Sequence, residues 1–160
     1  MKSVQEIGTR AGHRKPLRQE WPRSLGAPPR VLAHSAVSGM RGTETVLLMA
    51  EEPMVQSVLA RVLRQLGYCV LSTSNVAEAQ FQAQTGPHID LLLLDQDLPD
   101  PRNEQLAMWF RATYPETKVL MVSGSLWELN LNLAVSQHIA ILAKPFTLLQ
   151  LARMLRQVLE

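Results

Sequence analysis

From Thr45 onward, five short apolar runs alternate with helix-like stretches, and this alternation limits the possible folds more than any other feature of the chain. The runs are residues 46–50, 68–73, 89–94, 119–123 and 139–143. Three of them, VLLMA, IDLLLL and VLMVS, are apolar almost throughout rather than at every second position. Strands of that kind are buried on both faces, as in a parallel sheet covered by helices on each side.

The stretches between the runs carry helix punctuation. Val55, Val58, Leu59, Val62 and Leu66 recur at helical spacing, with Pro53 suited to the first helical position and Gly67 to the stop. Asn75 with Glu78, Ser125 with Glu128, and Thr147 with Gln150 have the form of capping boxes. Asp100-Pro101 opens a third helix and Pro115 follows its end. In the last helix, Leu148, Leu151, Leu155, Val158 and Leu159 share a face. The fold class is α/β, a (βα)5 doubly wound, five-stranded parallel sheet. The pattern itself does not give the strand order.

The first part of the chain is a different object. Residues 1–45 carry eight Lys/Arg against three Glu, a net +5, whereas residues 46–160 carry eight against eleven, a net −3. The overall +2 of this 160-residue chain is the sum of the two. The first segment also holds Pro16, Pro22, Pro28 and Pro29, and no hydrophobic period survives in it. Such composition buries too little surface to offset its ordering entropy, so residues 1–43 are expected to be a flexible basic tail or linker and 44–160 the folded domain. A functional arm bearing Arg10, Arg14, Lys15, Arg18 and Arg23 is the alternative, although heptads, zinc-ligand spacing and a DNA-binding helix-turn-helix pattern are missing. Met40 offers an alternative start just before the first strand.

One cysteine, Cys69, excludes a disulfide framework and reads as an inert small hydrophobe in strand 2. No apolar run reaches the ~20 residues of a membrane span, and residues 1–30 lack a signal-peptide core. Cytoplasmic placement is the expectation.

In open α/β sheets, ligands bind outside the carboxyl ends of the strands. This chain puts Glu51 and Glu52 after strand 1, Asp95 and Asp97 after strand 3, Ser123 at the close of strand 4, and Lys144 then Pro145 after strand 5. Hard oxygen donors suit Mg²⁺, an Asp beside a divalent cation is a nucleophile toward phosphorus, and a hydroxyl and an ammonium hold phosphoryl oxygens. The set reads as a phosphoryl-transfer or phosphate-binding site.

GTETVLLMAEEP, IDLLLLDQDLP, KVLMVSG and AKPF, in this order and spacing, resemble a response-regulator receiver domain of the CheY-like superfamily, over about residues 44–160. The GTET entry resembles receivers joined to hybrid sensor histidine kinases. The resemblance implies a flavodoxin-like strand order 2-1-3-4-5 and a phosphorelay receiver without an output domain, either stand-alone or part of a hybrid kinase. Asp95 would be the phosphoacceptor, and Mg²⁺ would be held by Glu51, Asp95 and the backbone carbonyl of Asp97. Ser123 and Lys144 would bind the phosphoryl group and switch the surface, and Pro145 would follow a cis peptide bond. The implied partners are a histidine kinase or a histidine phosphotransfer domain, and a downstream protein docking on the face of helix 4, strand 5 and helix 5. No DNA-binding domain and no catalysis beyond the domain's own phosphorylation and dephosphorylation are implied.

Three positions depart from the family pattern. Ala50 stands where the first of two adjacent acids is usual, which lowers the expected Mg²⁺ affinity; a one-residue slip would instead pair Glu51 with Glu52. Ile141 stands where an aromatic switch residue is usual and has no ring to turn inward. Asn103 replaces a common Gly, which predicts a left-handed backbone there. These departures leave a second reading open, a degenerate receiver that docks partners independently of phosphorylation.

Blander readings stay beside the sharp ones. Glu51 also suits a solvated helix-start acid, and Glu52 the cap position before Pro53 as well as an additional ligand. Trp109, Phe110 and Trp127 read as packing residues, and His13, His34, His88 and His138 have no ligand spacing. Residues 126–133 with Val135 read as either core or a docking face on helix 4. The Asp95-x-Asp97 pair is also similar to a haloacid-dehalogenase-type phosphatase motif, but there it follows the first strand, and this chain has no room for a cap domain.

Overall fold

A computed structural model describes residues 39–97, 100–125, 135 and 137–160. The described elements are β1 (Thr45–Met49), α1 (Pro53–Gln65), β2 (Cys69–Thr73), α2 (Val76–Thr85), β3 (Leu91–Gln96), α3 (Pro101–Thr113), β4 (Lys118–Ser123), β5 (Ala140–Ala143) and α4 (Leu148–Leu159). The expected helix between β4 and β5, with Glu128 of the expected cap and Trp127, lies outside the described residues, as do residues 1–38 of the proposed tail.

All four strand pairings are parallel and the sheet order is β2-β1-β3-β4-β5. The all-apolar runs fill the three central strands because both sheet faces are covered there. On one face Val46, Leu48, Leu91, Leu93, Leu120 and Val122 pack with Leu59 and Leu63 of α1 and Leu151 and Leu155 of α4. On the other face Leu47, Met49, Leu92, Leu94, Val119 and Met121 meet Ala79 of α2 and Leu106, Ala107 and Phe110 of α3. Phe110 meets Trp109 edge-on, with centroids 5.2 Å apart. Each fully buried Leu contributes about 1.5–3 kcal/mol of transfer free energy, so these two layers hold the fold.

The helix starts follow the sequence signals, with one variation. Asp100 caps α3 through the amide of Arg102, and Thr147 and Gln150 form a reciprocal capping box on α4. Asn75 accepts from the Glu78 amide, but the Glu78 carboxylate reaches the amide of Ser74 rather than that of Asn75. Pro53 opens α1, and Gly67, with φ of 101°, ends it in the left-handed region.

Several expectations are corrected. β3 runs two residues further than the apolar run, so Asp95 is inside the strand, paired in register with Val122, rather than after it. The apolar stripe of α1 turns on Leu59, Ala60, Leu63 and Leu66; Val58 is exposed, because it faces away from both β1 and β2. Leu148 is likewise partly exposed at the first turn of α4. Cys69 is exposed, since it begins an edge strand that has a neighbour on one side only. Asn103 is not left-handed. Asp100 and Pro101 have already started α3, so Asn103 is its third residue and is buried; the positive φ among described non-glycine residues is at His138.

Candidate functional site

The carboxyl ends of β1 and β3 open onto a cavity of about 410 Å³, lined by Glu51, Glu52, Asp95, Gln96, Asp97, Asp100, Pro101 and Asn103. Parallel strands place their ends on one edge, which is why acids from two separate loops meet there. Lys144 reaches the same place from the end of β5. Its Nζ lies 2.9 Å from Asp95 Oδ1 and donates a 2.7 Å hydrogen bond to Asp97 Oδ1.

Asp95 is 8% exposed, whereas Asp97 is 76% exposed and serves as the solvent-side anchor of the lysine. Asp95 Oδ1 is buried, and Lys144 is its ion-pair partner; it has no other polar partner among the described residues. Burial pushes the Asp95 carboxyl above the ordinary carboxylate range; Lys144 offsets part of this, while the charges of Asp97 and Glu52 push the same way. For Lys144, burial pulls the pKa down, but its two aspartates outweigh that and raise it. The pocket therefore holds two aspartates that share one lysine.

The carboxylates from the β1 end divide. Ala50 is fully buried in the core layer and offers no donor. Glu51 Oε1 accepts from Arg102 Nη2 at 3.1 Å and is 57% exposed. Glu52 is the N-cap residue of α1 by position, yet its carboxylate caps no helix amide. No group of three acids, His or Cys among the described residues is close enough together to form a metal cluster. The donors nevertheless fit a hard divalent cation in kind. They are the carboxylate of buried Asp95, the carbonyl of Asp97 and the carboxylates of Glu51 and Glu52 around one cavity.

Ser123 is fully buried at the end of β4, in register with Gln96, and its Oγ accepts from the Ser125 amide at 3.2 Å. No hydrogen bond between Ser123 and Asp95 is present among the described residues. The Ser123 carbonyl accepts from the Lys144 amide at 2.8 Å, which ties the β4 end to the lysine-bearing loop. The Lys144–Pro145 peptide is cis. Ile141 is half-buried against the α2–α3 layer, on the other side of the sheet from Leu142.

Four residues of the site carry no signal that the sequence reading used. Gln56 donates to the carbonyls of Ala50 and Thr73, at 3.2 and 2.6 Å, and so braces the loop bearing Glu51 and Glu52. Gln96 accepts from Asn103 Nδ2 at 3.1 Å, a buried polar pair beneath the cavity. Gly124 lets the β4 end approach the Asp97 carbonyl, which a Cβ there would meet at 3.2 Å. Arg102 is the fourth. Gln96 and Gly124 lay within quoted motifs but were given no role there; Gln56 and Arg102 depend on contacts that only the folded chain makes.

A model of the response regulator receiver domain matches residues 46–156. The sensor kinase CckA of Brucella abortus is 31% identical over 123 residues; the match covers 76% of this chain, which spans 13% of that relative's length. The signal receiver domain of an HD domain-containing protein from Pseudomonas fluorescens Pf-5 superposes with a TM-score of 0.66 at 22% identity, covering 74% of this chain and 95% of that one. The response regulator TrrA of Thermotoga maritima, solved in complex with Mg²⁺ and BeF, superposes with a TM-score of 0.63 at 20% identity, covering 72% of this chain and 99% of the other. The strand order, the cavity at the carboxyl edge and the match over more than two thirds of the chain converge, and the chain belongs to the response regulator receiver domains of two-component signalling.

Proposed function

We propose that Asp95 accepts a phosphoryl group from the phosphohistidine of a histidine kinase or histidine phosphotransfer domain. A carboxylate oxygen of Asp95 attacks phosphorus, the histidine N–P bond breaks, and the imidazole leaves with the bonding electron pair. Lys144 meets the added negative charge, with Asp97 holding its ammonium in place. The Ser123 hydroxyl, whose oxygen already accepts the Ser125 amide, has its proton free to donate to a phosphoryl oxygen. Asp95, the Asp97 carbonyl and Glu51 would hold Mg²⁺, with Glu52 as a further acid. When bound, Mg²⁺ supplies charge neutralisation and orientation of the phosphoryl oxygens.

The observation that carries this reading is the buried Asp95 at the end of β3, ion-paired at 2.9 Å with Lys144, in a receiver-family chain. The reading places the receiver at residues 44–160 and a tail or linker at 1–43. It places the chain in the cytoplasm, with a downstream partner docking at β5 and α4. No described helix is long and apolar enough to cross a membrane. Radiolabel transfer from a phosphorylated histidine kinase in Mg²⁺ tests the chemistry; equal labelling of wild type and Asp95→Asn would rule out this acceptor.

A second reading is a docking module that works without phosphorylation. It is favoured by the buried Ala50 and by Glu51 being engaged with Arg102. Beryllofluoride with Mg²⁺ separates the two. Saturable amide shifts around Asp95 support phosphoryl acceptance, and a spectrum that does not respond supports docking alone.

A further inference from the structure

Arg102 plays no part in the chemistry above, yet it is built into the mouth of the pocket. It is the second residue of α3, and Asp100 grips it through its own N-cap carboxylate. Asp100 Oδ1 accepts from the Arg102 amide at 2.8 Å and from Nε at 3.1 Å, and Oδ2 accepts from Nε at 3.0 Å and from Nη2. A planar guanidinium held in this forked way keeps few rotamers. From that position Nη2 reaches across to Glu51 Oε1 at 3.1 Å, joining loops 51 residues apart in sequence. Both acids line the cavity that contains Asp95.

We propose that Arg102 is the resident counter-ion of this pocket: it holds Glu51 while the pocket is empty, and a divalent cation entering beside Asp95 takes Glu51 from it. The proposal rests on the reading of Asp95 as a phosphoryl acceptor. Ala50 gives it weight, because its missing carboxylate leaves Glu51 and Glu52 as the acids at the β1 end, and Arg102 holds Glu51. Arg102 and Glu51 are 67% and 57% exposed, so their pair is weak enough to exchange. The grip of Asp100 does not depend on Glu51, so Arg102 stays at the start of α3 when Glu51 leaves. The domain thus exists in a latched and an unlatched form, and cation affinity is set by the competition between them.

Mg²⁺ titration of the isotope-labelled protein, followed at the Asp97 and Gly124 amides, tests the latch without reference to phosphorylation. Arg102→Gln is expected to lower the half-saturating Mg²⁺ concentration about threefold to tenfold. Arg102→Lys, which keeps the charge but loses the fork, falls between wild type and Arg102→Gln. Glu51→Gln raises the half-saturating concentration, and the double variant Glu51→Gln/Arg102→Gln titrates like Glu51→Gln alone. A general charge effect would instead leave the full gain of Arg102→Gln in the Glu51→Gln background, which overturns the latch. Equal or weaker Mg²⁺ binding by Arg102→Gln overturns it too. If Asp95 is phosphorylated and no variant shows the expected order, the latch fails alone. If the order holds and Asp95→Asn is labelled like wild type, the phosphoryl reading fails alone.

Discussion

At the amino ends of the strands, Glu44 accepts a 2.6 Å hydrogen bond from Arg156; at their carboxyl ends, Asp95 meets Lys144 at 2.9 Å. Both are acid–base pairs at the margin of the same sheet, but the proton balance runs in opposite directions. Burial pushes Glu44 up, yet Arg156 and nearby backbone amides outweigh it and leave the carboxyl below its ordinary value. Burial pushes Asp95 up as well, and there it wins, because Lys144 is shared with Asp97 and the charges of Asp97 and Glu52 push the same way. The amino end spends its charges on holding the entry segment to α4. The carboxyl end keeps a carboxylate whose charged form burial disfavours.

The scale for breaking this contrast is set by the layer on which both ends rest. Leu93→Ala, in the middle of β3, should cost about 2–5 kcal/mol, read by denaturant unfolding, and weaken both ends alike. Next in size, Arg156→Ala should cost about 1–2 kcal/mol, because it leaves the partly buried Glu44 without its cation. Since the folded pKa of Glu44 is lowered, the pair's stabilisation is present above the unfolded carboxylate value of about 4.3. It is lost as pH falls through the folded value, so the wild-type advantage over Arg156→Ala should shrink in acid.

Asp95→Asn should act in the opposite direction and raise stability at neutral pH, visible as a higher Tm. The sign follows from the raised folded pKa. Below the unfolded Asp value of about 3.9 the acid is protonated in both states and the difference vanishes. It grows as pH rises through the folded value. A lower Tm for Asp95→Asn at neutral pH would remove the burial penalty from this account. The smallest effect belongs to Gln56→Ala, about 0.5–1.5 kcal/mol for two lost hydrogen bonds to strand-end carbonyls. Hydrogen exchange should locate that loss at residues 50–53 rather than at the amino end.

How much of this was legible in the sequence differs between the two ends as well. The sheet and its helices were legible because double-sided burial writes itself as VLLMA, IDLLLL and VLMVS, and because caps such as Thr147 with Gln150 are local. Asp95 and Lys144 were legible because strand ends in a parallel sheet share an edge. The helical position of Asn103 was misread, because a common Gly implies a left-handed turn whereas Asp100-Pro101 begins the helix earlier. Arg102, Gln56 and the pairing of Glu44 with Arg156 were not legible. Each joins segments whose separation in sequence carries no period, and only the folded sheet brings them together.

The central claim is that Asp95 is the phosphoryl acceptor, and intact-protein mass measurement after incubation with acetyl phosphate and Mg²⁺ tests it most directly. The account predicts that wild type gains the mass of one phosphoryl group, that hydroxylamine removes it, and that Asp95→Asn gains none. A phosphorylated Asp95→Asn protein, or a wild type that stays unmodified with both acetyl phosphate and a phosphorylated histidine kinase, would contradict it.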